Sequence, residues 1–257
     1  MSGSEYRLQA FIRSADRRSL IVDTSAGLSL GALPGLEHYV QSVSPMLSMV
    51  DGVVCSPGQI GKFGVLKKEA AGLLVRMDWS NTWRGADFVI PPHKAQRIPL
   101  LTAQDALDLG AVGMVTSFFL GYEEELEAAC MRSTVQLALT GKALGLPLVV
   151  EVRTTGPRVS LSDKAVELGA SYALEGGADV IALPYPGQKS LETIAAFVSV
   201  PWLVRPTRLE TVAAEVGEAL ALGGAGIWLD HTVFSLPEVL KFLDDLRLQV
   251  HSSLVSV

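Results

Sequence analysis

Glu175-Gly176-Gly177-Ala178-Asp179-Val180-Ile181-Ala182-Leu183 is the stretch on which the reading of the fold turns. A helix ends on glycine, a short turn follows, and an apolar, β-branched run begins. Glycine suits that position because it enters the left-handed backbone region without a Cβ clash. The same phrase recurs at Leu109-Gly110-Ala111, Leu144-Gly145-Leu146-Pro147 and Leu222-Gly223-Gly224-Ala225.

Working outward from these markers, eight short apolar runs read as strands: residues 19–23, 52–55, 73–77, 113–117, 148–153, 180–183, 202–205 and 226–230. Nearly continuous apolar character is expected of parallel strands covered by helices. Amphipathic stretches such as 123–144 and 209–222 lie between them and read as helices. Eight β–α units of about 30 residues in one chain of this length predict a (β/α)8 TIM barrel, an α/β fold with its working face at the strands' C-terminal ends. An open doubly wound sheet is the alternative, but the Gly-rich GxGxxG it would carry after the first strand is absent. Residues 1–257 are expected to form one domain. The Pro-rich stretch 78–100, with Trp79 and Trp83, reads as a long loop over the working face, contacting either substrate or a partner subunit.

Net charge is −6, with no run of five or six like charges, so nothing favours nucleic acid as a partner. An anionic substrate would need local basic groups working against the global field. The two cysteines, Cys55 and Cys130, are far apart and show no metal-ligand spacing. Reduced thiols and a cytoplasmic location are expected. The polar first residues do not read as a signal peptide, and no apolar stretch reaches membrane-spanning length.

Beginning at Asp23, the text Asp23-Thr24-Ser25-Ala26-Gly27-Leu28-Ser29-Leu30-Gly31, followed by Pro34-Gly35-Leu36-Glu37, resembles the first βα loop of the archaeal-type class I fructose-bisphosphate aldolases and their deoxyribose-phosphate aldolase-like relatives. Weaker matches follow at Asp51-Gly52-Val53-Val54, Leu74-Val75-Arg76, Gly145-Leu146-Pro147, Gly177-Ala178-Asp179-Val180 and Tyr185-Pro186-Gly187. The resemblance implies carbon–carbon lyase chemistry on a sugar-like metabolite, a homo-oligomer, and no cofactor. In that family a lysine on the sixth strand forms an imine with the substrate and serves as the electron sink. Here its position falls on Ala182, and the family's strand-five tyrosine falls on Arg153. The phosphate-binding glycines after strands seven and eight become Pro206-Thr207 and Asp230-His231-Thr232. Alanine has no amine, so the resemblance implies a rebuilt site. Lys62 and Lys94 are the lysines placed to reach inward as substitutes; Lys142, Lys164 and Lys241 read as solvated helix positions.

Read on their own, the strand ends carry Asp23, Asp78, Glu151, Arg153, Arg205, Asp230 and His231. Glu151 and Arg153 share a strand face. The candidate catalytic set is Asp23, Glu151, Arg153, Asp230 and His231, with Arg205, Tyr185 and Ser56 as candidate substrate contacts. Arg153 and Arg205 would clamp a carboxylate or phosphate, and the acids or the Asp230–His231 pair would move protons. The opposing reading makes the same charges a self-neutralising plug in a non-catalytic, metabolite-binding or scaffolding barrel. A divalent metal on Asp23, Glu151, Asp230 and His231 is a third reading, without the histidine spacing usual for such sites.

Overall fold

The protein is described by a computed structural model covering residues 2–63, 71–160 and 162–251. Among the described residues ten strands form: β1 (Ser19–Asp23), β2 (Gly52–Cys55), β3 (Gly72–Arg76), β4 (Asp78–Ser80), β5 (Arg97–Pro99), β6 (Gly113–Phe119), β7 (Leu148–Arg153), β8 (Val180–Pro184), β9 (Trp202–Arg205) and β10 (Gly226–Leu229). Eight of them close into a parallel barrel in the order β1-β10-β9-β8-β7-β6-β3-β2. The fold is a TIM barrel. The helices are α1 (Gly3–Leu8), α2 (Gly27–Leu30), α3 (Tyr39–Val43), α4 (Pro57–Ile60), α5 (Ala103–Asp108), α6 (Glu124–Leu144), α7 (Ser162–Glu175), α8 (Gln188–Phe197), α9 (Val212–Ala221) and α10 (Val239–His251). Among the described residues no helix is long and apolar enough to cross a membrane.

Strand alternation splits the core in two. Ile21, Val54, Leu74, Val115, Val149, Val180, Ala182, Leu203 and Trp228 fill the barrel interior. Their chain neighbours, among them Leu20, Val53, Val75, Met114, Leu148 and Ile181, pack outward beneath the helices. Phe11 and Ile12 belong to the inner cluster and close the barrel's lower end, where the Ser19 hydroxyl donates to the Phe11 carbonyl at 2.5 Å. Among the glycines that geometry requires, two belong to the barrel frame. Gly145 ends α6 at φ 65°. Gly226 holds φ 129°, and a Cβ there would stand 2.0 Å from the Ser19 carbonyl oxygen, at the seam between β10 and β1.

Most strand positions match the sequence reading, with shifted ends: β3 starts one residue earlier, β6 runs on to Phe119, β8 to Pro184, and β10 stops at Leu229. The expected helix over 209–222 is shorter, because the Glu215 carboxylate draws the preceding segment into a turn. It accepts from the Thr207 amide at 2.9 Å and the Thr211 hydroxyl at 2.7 Å. The stretch 78–100 is not wholly irregular. Its ends pair as the antiparallel ribbon β4–β5, with Trp79 opposite Ile98. Lys67 and Lys68 lie outside the described residues.

Candidate functional site: an arginine-lined barrel mouth

Residues one layer above the inner apolar cluster project into the C-terminal mouth. Strand register sets them there: Asp23 stands two residues past Ile21 on β1, Arg76 two past Leu74, Ser117 two past Val115, and Glu151 two past Val149. Glu151 pairs in register with Ser117 on one side and Ala182 on the other.

These side chains form one charged network. Arg76, its side chain 3% exposed, donates through Nη2 to Asp23, through Nη1 to Glu151 Oε2 at 2.8 Å and Ser117 Oγ at 2.9 Å, and through Nε to Ser25 Oγ at 3.0 Å. Ser25 in turn donates to Asp23 Oδ1 from its amide at 2.8 Å and its hydroxyl at 2.6 Å. The other oxygen of Glu151 takes Arg205 Nη1 at 2.9 Å and lies 2.7 Å from Arg153 Nη2. The Arg205 contact is an aligned hydrogen bond. The Arg153 contact is a charge contact only, since neither Nη2 nor Nε of Arg153 finds a hydrogen-bond acceptor. The Arg153 guanidinium instead lies 3.4 Å from the ring centroid of Trp83, which comes over the mouth from the segment after β4.

The electrostatics follow from this packing. Burial alone would raise the Glu151 pKa, but Arg153, Arg76 and Arg205 outweigh it and hold the carboxyl down at about 2. Burial, then the like charge of Arg205, pull Arg153 down to about 10 against the opposing pull of Glu151. Arg76 moves the other way: burial would lower it, yet Asp23 and Glu151 raise it above its ordinary value. Three guanidinium charges meet two carboxylates here, which leaves one positive charge in a chain whose net charge is −6. Beside this network Asp78 is neutralised by Arg97 Nε at 2.7 Å and accepts from the Ser117 amide at 2.7 Å.

Of the residues singled out in the sequence, the structure brings Asp23, Glu151, Arg153 and Arg205 together. The side chains of the others make no hydrogen bond or ion pair with these four. Asp230 Oδ1 accepts from the amide (2.9 Å) and hydroxyl (2.5 Å) of Thr232, capping the short helical turn His231–Ser235, and makes no hydrogen bond or ion pair with His231. His231 Nδ1 is buried without a partner. The Tyr185 hydroxyl donates to Glu218 on α9; burial and that acid push the phenol up to about 12. Ser56 lines a cleft of about 530 Å³ between the loops after β1 and β2, with Thr24, Ser25, Gln59 and Lys62. Lys62 is exposed at that cleft, whereas Lys94 is exposed on an outer groove beside Glu123 and Glu125. Among the described residues no cluster of three or more His, Cys, Asp or Glu is placed to hold a metal ion. Cys55 is buried, and burial, aided by Asp23, pushes its thiol up to about 12. A thiol so shifted is not a nucleophile at neutral pH.

Arg76, Trp83, Ser25 and Ser117 take part but escaped the candidate set. Arg76 sits at the end of the apolar run Leu73-Leu74-Val75, and the inward register of Leu74 was the available signal for it. Trp83 is stacked within the molecule, on Arg153, a pairing no local sequence pattern gives.

No protein-family model matches the chain. It is 24% identical to an uncharacterized aldolase of Saccharolobus solfataricus, over 98% of this chain and 96% of that one. It is 26% identical to 2-amino-3,7-dideoxy-D-threo-hept-6-ulosonate synthase of Halobacterium salinarum, over 86% of this chain and 82% of that one. Among solved structures it superposes on an archaeal fructose 1,6-bisphosphate aldolase with TM-score 0.79 at 21% identity, covering 98% of this chain and 100% of the other. The chain is thus distantly similar in sequence to aldolase-type enzymes and shares the barrel of the archaeal class I aldolases.

Proposed function

We propose that this barrel binds a small, anionic, oxygenated metabolite at its mouth, with the carboxylate or phosphate on Arg153 and Arg205, and without covalent capture. One observation carries the reading: Arg153, 11% exposed, has an Nε donor that meets no acceptor and an Nη2 that touches Glu151 at 2.7 Å outside hydrogen-bond alignment, beside a second guanidinium and with one positive charge in excess. Buried donors without acceptors are costly, and an incoming anion supplies acceptors in the planar geometry a guanidinium matches. The distant relatives carry names of enzymes acting on sugars and sugar phosphates, which supports a sugar-like ligand.

A carbon–carbon lyase is the second reading, favoured by the sequence similarity to an aldolase over almost the whole chain. With Ala182 at the position proposed for the imine-forming lysine, the arginines would take over the electron sink by stabilising a developing enolate oxygen. The proton acceptor is then the difficulty, since a carboxyl held at about 2 is a poor base at neutral pH. This is why binding, and not lysis, stands as the conclusion.

Calorimetric titration with fructose 1,6-bisphosphate and with smaller phosphorylated and carboxylated sugars tests the proposal, alongside borohydride reduction of each mixture. Saturable binding that Arg205→Ala weakens at least about tenfold, with no mass added by borohydride, is expected. Absence of binding by every anion removes the site; a reduced adduct shows that some lysine does form an imine and restores ordinary aldolase chemistry.

A further inference from the structure

A second cavity lies outside the barrel, between β5, α5 and α6. It has a volume of about 410 Å³. It is separated from the mouth by β6, because Thr116 and Ser117 point to opposite faces of that strand: Ser117 contacts Arg76 in the mouth, and Thr116 contacts Arg97 at this cavity.

The cavity's chemistry is two-sided. Pro99, Leu101, Ala103, Ala129 and Leu137 give it apolar walls, and Arg97 and Arg132 supply charge. The Arg97 side chain is 2% exposed and fixed in place. Nε donates to Asp78 at 2.7 Å, and Nη2 donates to Thr116 at 2.5 Å and Ser133 at 3.2 Å. Its Nη1 makes no hydrogen bond or ion pair among the described residues. Arg132 is exposed on α6 and has no acidic partner among the described residues. Its neighbours one helical turn away, Ala128, Ala129, Val135 and Gln136, carry no charge. The Arg97–Asp78 pair is neutral, so Arg132 leaves the cavity with one uncompensated positive charge.

We infer that this cavity is a binding site for a carboxylate carrying a short apolar chain. The carboxylate would lie between Arg132 and Nη1 of Arg97, where a planar, two-oxygen anion matches a guanidinium edge. The chain would run along Leu101, Ala103, Ala129 and Leu137. A predominantly apolar lining with a few fixed polar groups, at this volume, is the usual make-up of a small-molecule site. A compact, fully polar sugar anion would leave those walls unused, so the outer site selects a different class of ligand from the mouth.

Hexanoate is the probe, measured by titration calorimetry on the full chain, with hexan-1-ol as its uncharged counterpart. Wild type should bind hexanoate at least about tenfold more tightly than the alcohol. Arg132→Glu, on an exposed helix face where folding is undisturbed, should weaken hexanoate at least about tenfold, while Arg205→Ala in the mouth leaves it unchanged. The inference is overturned if hexanoate does not bind, if the alcohol binds as well, if Arg132→Glu binds as wild type does, or if Arg205→Ala abolishes binding and so assigns the probe to the mouth.

Discussion

Replacing Glu151 by glutamine removes one charge from the centre of the mouth and almost no volume. In the native protein the carboxylate faces three guanidinium groups, bonded to Arg76 at 2.8 Å and Arg205 at 2.9 Å and in contact with Arg153 at 2.7 Å, with 1% of the side chain exposed. The variant leaves three guanidinium groups facing only Asp23, and the amide nitrogen must point at a donor. Removing one partner of a buried ion pair costs about 3–5 kcal/mol. For a chain of this length each kcal/mol moves the melting temperature by roughly 2–4 °C, so a fall of about 6–20 °C is expected at pH 7.

The pH dependence provides an independent check. The folded pKa of Glu151 is depressed from 4.5 to about 2. Its stabilisation is therefore present above the unfolded value, near 4.5, and is lost as pH falls from there toward 2. The shift corresponds to on the order of 3 kcal/mol. Urea unfolding between pH 7 and pH 2.5 should show that loss in wild type and lack this component in Glu151→Gln. Phosphate should also stabilise the variant more than wild type, since an anion can replace the missing charge. A destabilisation below about 1 kcal/mol, with parallel pH curves for the two proteins, would refute the claim that Glu151 is the keystone of the network.

Trp83→Ala removes the ring lying on Arg153 and should cost about 1–2 kcal/mol in urea unfolding. Anion affinity should fall with it, because the guanidinium loses the platform that fixes its plane; a rise in affinity would instead identify the ring as a cover over the site. Gly226→Ala should destabilise the barrel by on the order of 3 kcal/mol or prevent folding. The added Cβ would stand 2.0 Å from the Ser19 carbonyl at the β1–β10 seam, and a variant melting within a degree or two of wild type would show that the seam relaxes.

The sequence by itself determined the barrel and much of the mouth's chemistry. Glycine-marked helix ends and eight apolar runs are local signals, governed by backbone sterics and by the alternation of strand faces. Alternation likewise puts Glu151 and Arg153 on one face of their strand, two positions apart. Which charges meet was decided only by tertiary structure. Arg76 reaches Glu151 across 75 positions in the chain, and Arg205 reaches it across 54. Asp230, adjacent to His231 in sequence, bonds Thr232 instead, because an aspartate at the start of a helical turn satisfies the free amides there more readily than it orients an imidazole. Trp83 comes onto Arg153 only because β4 and β5 pair and bend the segment between them over the mouth. Charge pairing of this kind depends on barrel closure and register, which bring distant strand ends within bonding range, and no spacing along a single strand encodes that.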